Sequence, residues 1–131
     1  MEGVFFMIQS VHTDRAPAAI GPYSQAKICG NLVFTSGQIP IDPATGEISG
    51  DETIAQTHQV CQNLKAVLEA AGCSLASVIK TTCFLQDMAD FAAFNSVYET
   101  YFHEKPARSC VAVKTLPKQV LVEIECVAEK I

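Results

Sequence analysis

The chain has 131 residues, of which 49% are apolar and 18% charged, and it carries a formal charge of −5. That length and composition fit one globular domain with one hydrophobic core and exclude a disordered chain. The acidic balance, with nine basic residues scattered along the sequence, argues against a protein that holds nucleic acid by neutralising phosphates.

Gly3 to Ile8 is apolar, but it is shorter than a signal h-region and no basic n-region precedes it. No segment approaches the roughly 20 apolar residues of a membrane span. Residues 1–6 read as an extension, with Met7 an alternative start. Residues 1–10 are therefore assigned to an N-terminal extension or first strand, and residues 11–131 to a single domain. The six cysteines, Cys29, Cys61, Cys73, Cys83, Cys110 and Cys126, are far apart, form no C-x-x-C and lie in apolar stretches. They read as reduced thiols, mostly buried, in a cytoplasmic protein.

Ala26 to Cys29 and Leu32 to Ser36 predict a hairpin across Gly30-Asn31. Asp42 to Gly46 is a turn cluster. Ser49-x-x-Glu52 has the form of a capping box. It precedes a helix whose inner face carries Ile54, Thr57, Cys61, Leu64, Leu68 and Ala71, with Gly72 at its C′ position. Val78 to Leu85 reads as a strand. A second helix begins after Asp87, with Phe91, Phe94, Tyr98 and Tyr101 or Phe102 on one face, and Pro106 stops it. Two strands, Ser109 to Val113 and Val120 to Ala128, are joined by a loop containing Pro117. The order predicts an α+β, two-layer domain: one mixed sheet with two helices on one face.

The last strand carries a further signal. Val120, Val122, Ile124 and Cys126 share one face, and Leu121, Glu123, Glu125 and Val127 the other. Two carboxylates among apolar residues suit a subunit interface with an embedded polar site, so a homo-oligomer is expected. An ordinary wet sheet face is the alternative.

Arg108 enters the strand Ser109 to Val113 beside small residues. Its guanidinium is always charged and forks onto carboxylates, which makes it a candidate anchor for a small acid; a structural ion pair is the competing reading. Thr35-Ser36-Gly37-Gln38 ends a strand at a glycine, where a ligand could approach the backbone. Tyr23 lies next to the turn Gly21-Pro22. His12, His58 and His103 form no metal-ligand spacing, and Cys110 has no local base to make it a nucleophile. No phosphate-binding glycine motif occurs. No metal or cofactor is expected.

Ala16-Pro17-Ala18-Ala19-Ile20-Gly21-Pro22-Tyr23-Ser24-Gln25, Phe34-Thr35-Ser36-Gly37-Gln38-Ile39-Pro40 and Pro106-Ala107-Arg108-Ser109-Cys110 resemble the reactive-intermediate deaminase (YjgF) family, known in older usage as L-PSP endoribonuclease or translation inhibitor. Lys80-Thr81-Thr82, Leu116-Pro117-Lys118 and Val122-Glu123-Ile124-Glu125 fall where that family has similar segments. The resemblance implies a chorismate-mutase-like fold, a homotrimer whose sheets line a central barrel, and sites in clefts between subunits. It implies hydrolysis of small 2-imino or enamine acids, such as 2-aminoacrylate and 2-aminocrotonate, to 2-keto acids and ammonia without a cofactor.

By the same resemblance, Arg108 binds the substrate carboxylate and Glu123 orients or activates water, with Glu125 the competing assignment. The Cys110 carbonyl helps hold that water, and Tyr23, Ser36, Gly37 and Asn95 complete the pocket. The segment Tyr101-Phe102-His103-Glu104-Lys105 runs directly into Pro106 and is shorter than in typical deaminating members, which alters the pocket wall. Two other readings stand beside this one. An endoribonuclease or translation inhibitor fits the older name but not the charge or the absence of a histidine pair. A non-catalytic trimer would capture small carboxylic acids through the same Arg108.

Overall fold

Gly30 turns the chain back on itself with φ +63°, a value that glycine adopts without strain. The strands on either side, β2 (Ala26–Cys29) and β3 (Leu32–Thr35), pair antiparallel with Cys29 opposite Leu32, the register that a two-residue turn requires. The computed structural model describes residues 7–131; the extension expected over residues 1–6 lies outside the described residues. A short strand, β1 (Gln9–Val11), pairs with β2 at one edge of the sheet.

Helix α1 spans Thr53–Ala70, and Gly72 follows it with φ +84°, the left-handed C′ residue that the sequence predicts. Thr57, Cys61, Leu64, Leu68 and Ala71 are buried as expected, whereas Ile54, at the first turn, is exposed. The expected capping box does not form. Glu52 is the N-cap without a side-chain bond, and the Ser49 hydroxyl donates instead to Gln59 Oε1 at 3.0 Å. The gap in sequence between Ser49 and the first helical residue is too long for the hydroxyl to reach the helix amides.

Strand β4 (Val78–Leu85) lies second from one edge of the sheet, and helix α2 (Phe91–Tyr101) carries the chain back to β5 (Ala107–Ala112), which lies parallel to β4. The Asp87 carboxylate accepts from the Ala89 amide and starts the turn that leads into α2. Strand β6 (Val122–Glu129) inserts between β3 and β4, antiparallel to both. The sheet order is β1-β2-β3-β6-β4-β5, so β5 is an edge strand.

Both helices pack on one face of this mixed sheet, as the sequence predicts. Val33, Cys83, Leu85, Val122, Ile124 and Cys126 meet Val60, Leu64, Val67 and Leu68 of α1 and Phe94 of α2 in one core. Among the described residues no layer covers the other sheet face. Phe34 is 45% exposed and Val111 47%, with Phe84 and Val127 half-buried around Glu123 and Glu125.

Candidate active site

An open cleft of about 580 Å³ lies at the end of β3. The turn at Ile20–Tyr23, Ser36-Gly37, Ile39, the Pro117-Lys118 turn and the two carboxylates of β6 line it. Three of the sequence-predicted site residues, Tyr23, Ser36 and Gly37, therefore meet Glu123 and Glu125 at one place.

Each is set by its local structure. The Ser36 hydroxyl donates to the Ser24 carbonyl at 2.6 Å, and the Ser36 amide to the Gln25 carbonyl at 2.9 Å, which fixes the Tyr23 turn against the end of β3. The Tyr23 hydroxyl accepts weakly from the Ile20 amide at 3.4 Å, and its ring remains 48% exposed in the cleft. Gly37 leaves room for the Glu123 side chain. The Glu123 carboxylate lies directly over it, and a Cβ there would collide with Glu123 Oε2.

Glu123 is half-buried. Burial pushes its carboxyl pKa above the ordinary value of 4.5, and the neighbouring Glu125 carboxylate pushes it further in the same direction. A carboxylate that is harder to ionise is a better proton acceptor near neutrality. Glu125 is exposed, and no comparable burial acts on it. Between the two carboxylates flagged by the sequence, the burial favours Glu123 as a base.

Arg108, Asn95 and Cys110 form a second group. Arg108 Nη1 donates to Asn95 Oδ1 at 2.7 Å, so Asn95 holds the arginine and is not a free pocket wall. The guanidinium carbon lies over the Tyr98 ring at 4.9 Å and over the Phe91 ring at 5.5 Å. Among the described residues the ion pairs are His12–Asp14 and Arg15–Glu69, so Arg108 is a half-buried cation with no carboxylate partner. No ion pair to a described residue occupies the side chain, which leaves it open to an external anion.

Cys110 pairs with Cys83 across the β4–β5 ladder. Burial pushes its thiol pKa up while Arg108 pulls it down, and the net direction is up. That suits an inert thiol better than a nucleophile. Its main-chain groups lie on the edge strand, where half the carbonyls and amides have no ladder partner.

The two groups lie on opposite faces of one sheet. Residues joined across a ladder share a face. Arg108 aligns with Thr81 and, beyond it, Cys126, both buried under the helices. Glu123 aligns with Phe84 and Val111 on the uncovered face. Within one chain Arg108 and Glu123 therefore do not converge.

Ile20, Ile39 and Pro117 of the apolar cleft wall, and Lys118 at its rim, have no site role in the sequence reading, although they lie in its motifs. It noted Phe91 and Tyr98 only as helix-face residues, although their spacing with Asn95 already marks one stripe. Lys118 and Gln119 both have positive φ, 55° and 58°. Two consecutive left-handed non-glycine residues are costly, and such strain concentrates at functional turns. Among the described residues no group of three His, Cys, Asp or Glu side chains is placed to hold a metal ion, and no helix is long and apolar enough to cross a membrane.

Residues 13–130 match the family described as Endoribonuclease L-PSP. The chain is similar to a RutC family protein of Haemophilus influenzae, 54% identical over 127 residues that span 93% of this chain and 97% of the relative. It is 49% identical over 126 residues to a 2-iminobutanoate/2-iminopropanoate deaminase of Escherichia coli K12, spanning 93% and 98%. The solved structure of Escherichia coli TdcF with bound serine matches with a TM-score of 0.89 at 46% identity, covering 94% of this chain and 99% of TdcF. Fold, motif order and near-complete coverage agree: the chain belongs to the L-PSP endoribonuclease family, the group that also contains the reactive-intermediate deaminases.

Proposed function

We propose that the protein hydrolyses small 2-imino or enamine acids to 2-keto acids and ammonia, as a cytoplasmic homotrimer whose sheets line a central barrel. The observation that carries this reading is the division of labour across the sheet. A proton-accepting carboxylate, Glu123, sits in an open cleft on one face, and an unpaired cation, Arg108, is held on the other near the sheet edge. A second copy that lays its edge strand against the uncovered face brings its own Arg108 to that cleft. The apolar residues on the uncovered face, Phe34, Val111 and Val127, give such a copy surface to bury. The relative named as a deaminase, and the relative solved with a bound amino acid, support a small carboxylate as ligand.

In this reading Arg108 forks onto the substrate carboxylate and places the imine carbon beside a water. Glu123 takes a proton from that water as oxygen bonds to carbon, with the Cys110 carbonyl accepting the water's other proton in a hydrogen bond. Glu123 then returns this proton to the nitrogen to give a carbinolamine, next carries the remaining hydroxyl proton to the same nitrogen as the carbonyl forms, and the C–N bond breaks so that ammonia leaves a 2-keto acid. Tyr23, Ser36 and Gly37 bound the cleft, and the apolar wall of Ile20, Ile39 and Pro117 faces the substrate side chain. A nucleic-acid substrate fits this cleft poorly, because two carboxylates against one lysine repel a phosphate backbone.

The test couples the protein to a pyridoxal-phosphate dehydratase that releases 2-aminoacrylate or 2-aminocrotonate. Keto-acid formation should accelerate with the wild-type protein, and Arg108→Ala should abolish the gain. Equal rates with and without the wild-type protein overturn the reading, and stoichiometric binding of 2-ketobutyrate without turnover would favour the non-catalytic one.

A further inference from the structure

We propose that Phe91 and Tyr98 are positioning residues that sandwich the Arg108 guanidinium, so that it meets an oxyanion only edge-on, in its own plane. The proposal rests on the reading of Arg108 as the carboxylate anchor and adds how that anchor is aimed.

Phe91, Asn95 and Tyr98 stand at i, i+4 and i+7 on α2 and share one stripe of the helix. Seven residues of helix rise by about 10.5 Å. The guanidinium carbon lies over the first ring at 5.5 Å from its centroid and over the second at 4.9 Å, so both rings pack against it. Asn95, between the two rings in sequence, takes one Nη1 hydrogen at 2.7 Å. A guanidinium has five donors in one plane, and with two aromatic rings packed against it and one donor occupied, the donors left in its plane are what a ligand can reach.

The rings are themselves fixed. The Tyr98 hydroxyl shares a 2.7 Å hydrogen bond with Thr81 Oγ1 in the core. Its ring stacks on Phe102 at 4.5 Å and 27° and leans on Phe94 at 5.5 Å. Phe91 begins α2 directly after the turn that Asp87 caps. Arg108 thus packs against walls that folding has already immobilised. An arginine loses much rotamer freedom when a ligand pins it, and here that loss is taken before the substrate arrives, which tightens binding by preorganisation. The aromatic faces also strip water from the cation and hold it by cation–π attraction. In-plane approach favours a planar carboxylate bonded through both oxygens.

The experiment compares the full-length wild type with Phe91→Leu and Tyr98→Leu, and with the ring-restoring variants Phe91→Tyr and Tyr98→Phe. Calorimetry gives the Kd for 2-ketobutyrate, ¹⁵N relaxation of the Arg108 Nε–Hε group reports its order, and thermal melting reports folding. Each leucine variant should weaken binding about ten-fold, raise KM more than it lowers kcat, and reduce the Nε–Hε order. The ring-restoring variants should rescue all three. Leucine variants that melt normally, bind 2-ketobutyrate within twofold of wild type and keep Arg108 ordered overturn the proposal. If Tyr98→Leu does not fold, the half-buried Phe91→Leu carries the test. If the wild type binds no 2-ketobutyrate, the KM in the coupled assay takes the place of the Kd and the Nε–Hε order in the free proteins still decides the sandwich; equal rates with and without the protein are what overturn the deaminase reading.

Discussion

Glu123 is where one residue's environment sets a measurable property. Burial and the adjacent Glu125 both disfavour its charged form, so the folded protein keeps this proton to a higher pH than the unfolded chain does. Folding stability from this group is greatest at low pH and falls as pH rises from 4.5 through the elevated folded value. Activity runs the other way, since the base must be ionised. The acid limb of kcat should lie above the ordinary carboxylate range, and Glu125→Gln, by removing the like charge, should move it to lower pH in a pH–rate profile. A limb that stays in place after that substitution assigns it to another group. Glu123 was legible in the sequence because period-two alternation puts it on a face with apolar neighbours. The bond from Arg108 to Asn95 was not, since it joins an edge strand to a helix through space and leaves no pattern in the order of residues.

Three buried amide side chains act at the scale of whole elements. Gln25 accepts from the Thr13 amide at 2.7 Å and donates to the Thr13 and Pro17 carbonyls at 3.0 and 2.8 Å, tying down the loop that leads to Tyr23. Asn63 of α1 donates to the Ile39 and Ile41 carbonyls, fixing the cleft wall. Gln56 accepts from the Leu121 amide just before β6 and donates to the Gly50 carbonyl. Irregular backbone can be buried only if its polar groups find such partners. Gln25→Leu leaves one amide and two carbonyls unpaired, and should cost about 2–3 kcal/mol in urea unfolding while lowering deaminase activity; a cost under about 0.5 kcal/mol would place those groups against water instead. Hydrophobic periodicity located both helices and β2 to β6 because their inner faces are apolar. It gave no warning of these amides, because a polar side chain on a helix face reads as solvent-facing. The Ser49 capping box misled for a related reason: a short polar side chain has several partners within reach, and spacing alone does not choose among them.

At the scale of the molecule, the sheet separates what the chemistry needs together. The helix layer covers the face that carries Arg108's strand neighbours, and the cleft with Glu123 opens on the face left bare. The expectation of an interface on that face came from the mixture of carboxylates and apolar residues in β6, and the exposed Phe34 and Val111 extend it across β3 and β5. In the function proposed above, each working site takes Arg108 from one copy and Glu123 from another. Complementation tests it most directly. Arg108→Ala and Glu123→Gln proteins, each inactive alone, are unfolded together, refolded as a mixture and assayed with dehydratase-generated imine. Random mixing in a ring of identical subunits should restore about a quarter of the wild-type activity. Recovery no greater than the sum of the two separate proteins, in a sample shown to contain mixed oligomers, would contradict it.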